Sequence, residues 1–243
     1  MKLITLLFIF FSSCLWAETK LPTLKIIQLF DDVYQHVSYK KVEPYGVVAA
    51  SGLIVIEGDE AHVIDTPWTK QDTKKIIEWA ELKGLEVKSA VITHFHEDAS
   101  GGIATLNNLK IKTFATRLTN RLLKLNDLVQ ASDEITTENV QLFNGLIEVY
   151  YPGLGHTQDN IVVWLAKNEI LFGGCFVKSL GSKSLGNIND AAIAEWPLSI
   201  QKVKYKYSNI KVVVPGHGKV GDKHLLSHTE QLAIFANKRN TSL

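Results

Sequence analysis

Four β-rich apolar runs in this 243-residue chain each lead into residues able to bind a metal, with glycine close by. Val91-Ile92 runs into His94, His96 and Asp98, followed by Gly101-Gly102. Tyr150-Tyr151 runs through Gly153 and Gly155 to His156. Ile170 to Phe172 runs through Gly173-Gly174 to Cys175, and Val212 to Val214 through Pro215-Gly216 to His217. Strand ends are delivered to the edges of a sheet, so the pattern calls for a fold that gathers four of them at one edge. Glycine at such a place lets the backbone turn tightly and approach a neighbour closely.

Taken singly, His156 or His217 reads as a hydrogen-bonded structural histidine, and His94-Phe95-His96 as a polar surface turn. Repetition at four strand ends argues against chance. In extended backbone His94, His96 and Asp98 would face one side. Imidazole suits zinc, and a carboxylate two residues on can reach the same ion or a neighbouring one. Cys175 has two readings: a buried inert thiol, or a metal-bound thiolate shielded from oxidation.

Residues 1–17 read as a secretory signal, with Lys2 as the positive end, an apolar run from Leu3 to Phe11, and Ala17 at the cleavage position. The run is too short to span a bilayer. Phe11-Ser-Ser-Cys14 also resembles a bacterial lipoprotein signal in which Cys14 is lipidated, although soluble export is the preferred reading. Either way Cys175 is left as a lone cysteine in an exported chain. Residues 18–243 hold no Pro/Gly/Ser-rich linker, low-complexity run or repeat, and read as a single domain. Lysine and arginine number 26 against 25 acidic residues, and Lys2 is the only charge within 1–17. The balance and the lack of a basic block argue against nucleic acid as a partner.

The local signals run as follows. Leu24 to Gln28 and Val33 to Ser38 read as strands around Asp31-Asp32, and Tyr39 to Gly46 as a loop before Val47-Val48 resumes a strand. Leu53 to Ile56 and Ala61 to Ile64 bracket a turn. Thr69 caps a helix whose apolar side is Ile76, Ile77, Ala80 and Leu82, with Gly84 past its end. Val87 to Ile92 is a strand, Ser100 to Leu109 a helix and Lys112 to Ala115 a strand. Thr116 caps a helix to Leu125. Asp127 to Thr137 reads as loop, Val140 to Phe143 and Gly145 to Tyr151 as paired strands, and Ile161 to Leu165 with Ile170 to Phe172 as a hairpin. A Gly/Ser/Asn-rich loop covers Lys178 to Asn189. Ile193 to Tyr207 is helical, with Pro197 near its first turn, Ile210 to Val214 a strand, and Asp222 to Asn237 the final helix. Two β-rich halves, each with helices, fit two sheets face to face with helices outside.

On these residues the chain resembles the metallo-β-lactamases, in the first of their three subclasses, over essentially all of 18–243. The motifs are His94-Phe-His-Glu-Asp98, Gly155-His-Thr-Gln-Asp-Asn160, Gly173-Gly-Cys-Phe-Val-Lys178, Leu185-Gly-Asn187 and Pro215-Gly-His217-Gly. The resemblance implies an α/β fold, the four-layer αβ/βα sandwich, with two Zn2+ ions at the edge of the facing sheets. It implies that His94, His96 and His156 hold the first zinc, and Asp98, Cys175 and His217 the second. It implies hydrolysis of the β-lactam ring of penicillins, cephalosporins and carbapenems by a metal-bound hydroxide, and so resistance to these antibiotics. Asp98 and Asn187 are then the catalytic candidates, with Asn187 at the oxyanion. Lys178 would bind the substrate carboxylate. Tyr45 and Val42 would contact substrate from a flap formed by Tyr39 to Gly46, and Trp68 from the pocket wall. Asp65 would orient a ligand by hydrogen bonding.

The implied partner is a small-molecule β-lactam, the implied state a monomer in the periplasm, with membrane attachment only if Cys14 is lipidated. Two alternatives stand beside this. One is a thioesterase-like hydrolase of the same fold, but such enzymes place a histidine directly after the aspartate and an aspartate downstream, where this chain has Ala99 and Cys175. The other is a non-catalytic periplasmic zinc-binding protein, which would not need Lys178 and Asn187.

Overall fold

The structure, a computed structural model, describes residues 21–240. The signal segment and Cys14 lie outside the described residues. Within them no helix is long and apolar enough to cross a membrane.

The chain builds two sheets in succession. Strands β1 (Lys25–Phe30), β2 (Val33–Val42), β3 (Gly46–Glu57) and β4 (Glu60–Ile64) form an antiparallel meander. Strands β5 (Glu86–Val91), β6 (Lys112–Thr116) and β7 (Asp133–Ile135) extend it in parallel. Parallel neighbours need crossovers, and helices supply them. Helix α1 (Lys70–Leu82) joins β4 to β5, α2 (Glu97–Ser100) and α3 (Ile103–Asn108) join β5 to β6, and α4 (Arg117–Leu125) joins β6 to β7. The second sheet pairs β8 (Asn139–Leu142), β9 (Ile147–Tyr150), β10 (Val162–Leu165) and β11 (Ile170–Gly174) antiparallel. Helix α5 (Trp196–Lys206) then crosses over to β12 (Val212–Pro215), which lies parallel to β11, and α6 (His224–Asn240) follows.

Three separate apolar layers show how these pieces stack. Leu53, Val55, Ile64 and Val91 of the first sheet pack against Val149, Val163, Leu165 and Phe172 of the second. Ile54, Val63 and Ala90 point the other way, onto Ile76, Ile103, Leu106 and Leu123 of the outer helices. Leu171 and Val213 of the second sheet meet Trp196, Ile200, Leu226 and Ala233 of α5 and α6. Strand residues alternate between two buried faces, so both faces of each sheet are covered and the order of layers is αβ/βα. The expected four-layer fold is the one observed.

Local signals that rest on caps are realised. Thr69 accepts from the backbone N–H of Asp72 at 3.1 Å, and Thr116 from that of Thr119 at 3.0 Å. Other expectations need correction. The Tyr39 to Gly46 loop is mostly strand: Tyr39 to Val42 pair in register with Ala49 to Gly46, and only residues 43–45 form the turn. The helix expected over Ser100 to Leu109 starts earlier, at Glu97, and divides at Gly101-Gly102. At Gly102 a Cβ would stand 2.4 Å from Thr73 Oγ1, so the chain there lies directly against α1. Leu82, expected on the buried side of α1, is 88 % exposed because it lies two residues on from the buried Ala80 and so on the opposite face of the helix. The stretch Asp127 to Thr137 hides β7, which is too short to show a period.

Candidate metal centre

The strand ends converge as the sequence requires. Parallel pairing puts the C-terminal ends of β4 and β5 at one edge of the first sheet, and those of β11 and β12 at one edge of the second. These two edges meet: Ser51 N–H donates to the Gly216 carbonyl at 2.8 Å, and His217 Nδ1 lies 2.7 Å from the Ala49 carbonyl. At Gly216 a Cβ would sit 2.6 Å from Cys175 Sγ, so glycine is what lets the two loops touch.

The rings of His94, His96 and His156 form a near-equilateral triangle, with centroids 4.9, 5.1 and 5.1 Å apart. His96 Nδ1 faces His156 Nε2 at 3.2 Å. Beside them, Asp98 Oδ2 lies 3.0 Å from His217 Nε2 and 3.1 Å from Cys175 Sγ, which is 3.3 Å from His217 Nε2. The candidate ligand atoms of Asp98, Cys175 and His217 all lie within 4.8 Å of one another, as do those of His94, His96 and Asp98, and those of His94, His156 and Cys175. Period-two alternation is not what achieves this. Residues 94–96 bend, and Asp98 belongs to the first turn of α2.

The protonation pattern decides what the cluster can hold. The Ala49 carbonyl can only accept, so His217 Nδ1 carries the proton and its Nε2 lone pair points inward. His96 Nε2 lies 2.9 Å from Asp190 Oδ2, which likewise places its proton on Nε2 and leaves Nδ1 bare toward His156. His94 Nε2, His156 Nδ1 and Asp98 Oδ1 are buried with no hydrogen-bond partner. Imidazole and carboxylate lone pairs therefore crowd one another with too few donors to satisfy them, an arrangement that a cation resolves. The Cys175 thiol is pushed up to about 11, by burial and then by the Asp98 charge, so without a cation it is protonated. Burial works against ionised Asp98 as well, but the His217 and His94 rings beside it outweigh this and hold the carboxyl well below its usual range. The set fits binding of soft-to-borderline metal, with nitrogen donors on one side and a carboxylate and a sulfur on the other.

A cavity of about 510 Å³ opens onto the cluster, and Val42, Tyr45, Trp68, Lys178 and Asn187 all line it. Tyr45 is 56 % exposed at the tip of the β2–β3 hairpin. Lys178 is not a solvated loop lysine: it is 8 % exposed, with Nζ 5.4 Å from the centroid of the Trp196 ring. The Asp65 carboxylate is not hydrogen-bonded to a ligand histidine. It accepts from Thr93 N–H and from Thr93 Oγ1, both at 2.7 Å, and so fixes the backbone just before His94.

The family model for the metallo-beta-lactamase superfamily matches residues 45–217. A metallo-beta-lactamase type 2 of Pseudomonas aeruginosa is 44% identical over 239 residues, covering 98% of this chain and 96% of that one. The chain belongs to the metallo-beta-lactamase superfamily. Among solved structures, VMB-1 is 62% identical with a TM-score of 0.87, covering 88% of this chain and 98% of its own. The metallo-beta-lactamase FIM-1 from Pseudomonas aeruginosa, solved in a mono-zinc form, is 34% identical with a TM-score of 0.85, covering 89% and 97%. This metallo-beta-lactamase thus shares with its relatives both the sandwich and its extent.

Sequence reasoning missed four supports of the site. Asp190 braces His96 from 94 residues away. His36 Nε2 lies 2.9 Å from the Asp65 carbonyl. Lys40 pairs with Glu97 at 2.6 Å, tying the flap strand to α2 beside Asp98. Val48, Phe95 and Leu128 add apolar wall to the cavity. Asp190 stands one residue past the Lys178 to Asn189 loop, Lys40 within the Tyr39 to Gly46 stretch and Phe95 between His94 and His96, but none carried a local signal of its role.

Proposed function

We propose that this metallo-beta-lactamase hydrolyses the β-lactam ring of penicillins, cephalosporins and carbapenems with two zinc ions. His94, His96 and His156 hold one, and Asp98, Cys175 and His217 the other. The carrying observation is that the cluster of candidate ligands opens onto the same cavity as Lys178 and Asn187. When bound, the ions supply a water of lowered pKa and a Lewis acid for the lactam carbonyl.

The chain's own groups do the rest. Asp190 and the Ala49 carbonyl set the tautomers of His96 and His217, so that both rings present lone pairs inward. Asp98, whose Oδ1 is buried without a hydrogen bond 3.4 Å from His94 Nε2, would take a proton from water. Asn187 Oδ1 accepts from the Asn189 N–H at 3.2 Å, which leaves the amide NH2 as the end free to donate to a developing oxyanion. Lys178 offers a cation to the substrate carboxylate. Burial lowers its pKa, and the charges of Cys175 and Asp98 work against that and favour the ammonium. Tyr45 and Val42 on the hairpin and Trp68 on the wall cover apolar parts of varied substrates and exclude water.

The relatives' names support a β-lactam as substrate. Residues 1–17 support export to the periplasm, where a monomer would act, attached to a membrane only if Cys14 is lipidated. The test is hydrolysis of a penicillin, a carbapenem and a thioester, with and without a chelator. Chelator-sensitive turnover of both β-lactams is expected. Turnover of the thioester alone would transfer the site to the other hydrolases of this fold.

A further inference from the structure

Asp159 belongs to the Gly155-to-Asn160 motif, yet takes no part in the metal centre. It is 1 % exposed, and neither carboxylate oxygen has a hydrogen-bond partner. A buried acceptor left without a partner calls for something to satisfy it. Asp159 borders a second cavity, about 260 Å³, placed where the chain leaves β7 for β8 and thus passes from one sheet to the other. Glu138, Tyr151, Thr116 and Thr137 line the same space, as does Arg117, which is paired with Glu134 at 3.2 Å and 74 % exposed. Tyr151 donates its hydroxyl outward to the Gln158 carbonyl at 2.9 Å, so Asp159 receives nothing from it. Burial raises the Tyr151 phenol, and the charges of Asp159 and then Glu138 raise it further, which places both carboxylates about one ring. The first turn of α4 also faces the cavity, but the partial charge of a helix end offsets only a fraction of a lost hydration shell.

We propose that this cavity is a site for a hard, oxygen-liganded cation of the calcium type, with Asp159 and Glu138 as its anionic ligands. The groups offered to such an ion are all oxygen: two carboxylates and the hydroxyl of Thr137, with space for waters to complete a shell, while the Thr116 hydroxyl is taken up as the cap of α4. Histidine and cysteine are absent from its lining, which separates it chemically from the metal centre. Two carboxylates on a partly exposed site give affinity of roughly 10⁻⁴–10⁻³ M. Because the site joins the β7–β8 connection to the loop that carries His156, its occupant stabilises the junction of the sheets.

The test uses the whole zinc-supplemented protein and Ca2+ itself. At tenfold excess over its dissociation constant, Ca2+ raises Tm by roughly 3–6 °C, and Asp159→Asn abolishes the rise. Tb3+ substitutes for Ca2+, and Tyr151 sensitises its emission. Ca2+ displaces that emission, and Asp159→Asn loses it. Tyr151→Phe loses the emission but keeps the Ca2+-dependent Tm. Should Asp159→Asn not fold, Glu138→Gln serves, with affinity lowered at least tenfold. No Tm response in the natural protein, or one of equal size in a folded Asp159→Asn or Glu138→Gln protein, overturns the proposal.

Discussion

His36 makes the stability of this fold depend on pH in a calculable way. Its ring is 1 % exposed, Nε2 meets the Asp65 carbonyl, and Nδ1 has no partner. Burial holds its pKa down at about 4 against an ordinary 6.5, with the Asp65 and Ile64 carbonyls and the Asp72 charge pulling weakly upward. Between those values the unfolded chain binds a proton that the folded one refuses. The stability is therefore whole above pH 6.5 and is lost as pH falls toward 4, about 3 kcal/mol in all and about 2 kcal/mol by pH 5. For a chain of this size that is roughly 4–8 °C of Tm between pH 7 and pH 5.

Asp65 acts with the opposite sign. Burial pushes its carboxyl up to about 7, so the folded state takes up the proton first and gains stability as pH falls. The natural protein's profile mixes the two, and a variant must separate them. His36→Gln keeps an amide donor for the Asp65 carbonyl and removes the titration. In calorimetry at pH 7 and pH 5, the variant should lose about 2 kcal/mol less than the natural protein over that interval. Equal losses in the two proteins would refute the description of His36 as a buried neutral ring.

Three further outcomes are expected. Asp190→Asn, at a half-exposed position, should leave folding intact but weaken zinc retention against a chromophoric chelator and turnover by about 10–100-fold, because His96 loses its brace; unchanged retention would make that contact incidental. Lys178→Ala should raise KM for β-lactams with kcat less affected, and an unchanged KM would remove this lysine from substrate binding. Phe172→Ala, at the centre of the layer between the sheets and fully buried, should cost about 3–5 kcal/mol in denaturant unfolding; a loss below about 1 kcal/mol would contradict the packing described.

The parts of the fold legible in advance are those written in short-range chemistry. Thr69 and Thr116 announce helix starts because a cap needs only its own first turn. His94, Cys175 and His217 announce an edge because each sits just past an apolar run. Lys178 and Asn187 could not be told from loop residues by spacing, and only the family resemblance singled them out. Tyr39 to Val42 reads as loop since its polar residues face solvent, and only pairing with Gly46 to Ala49 makes it strand. Asp190 was invisible because its meaning lies in one oxygen set against His96 across 94 residues. The break at Gly101-Gly102 depends on the approach of α1, which no local pattern records.

The most direct test of the central claim is where zinc binds. Crystals of the zinc-supplemented protein, measured at the zinc absorption edge, should show two anomalous peaks at this sheet edge. One should be bonded to His94, His96 and His156, the other to Asp98, Cys175 and His217. A single peak at saturating zinc, or peaks bonded to other side chains, would contradict the account.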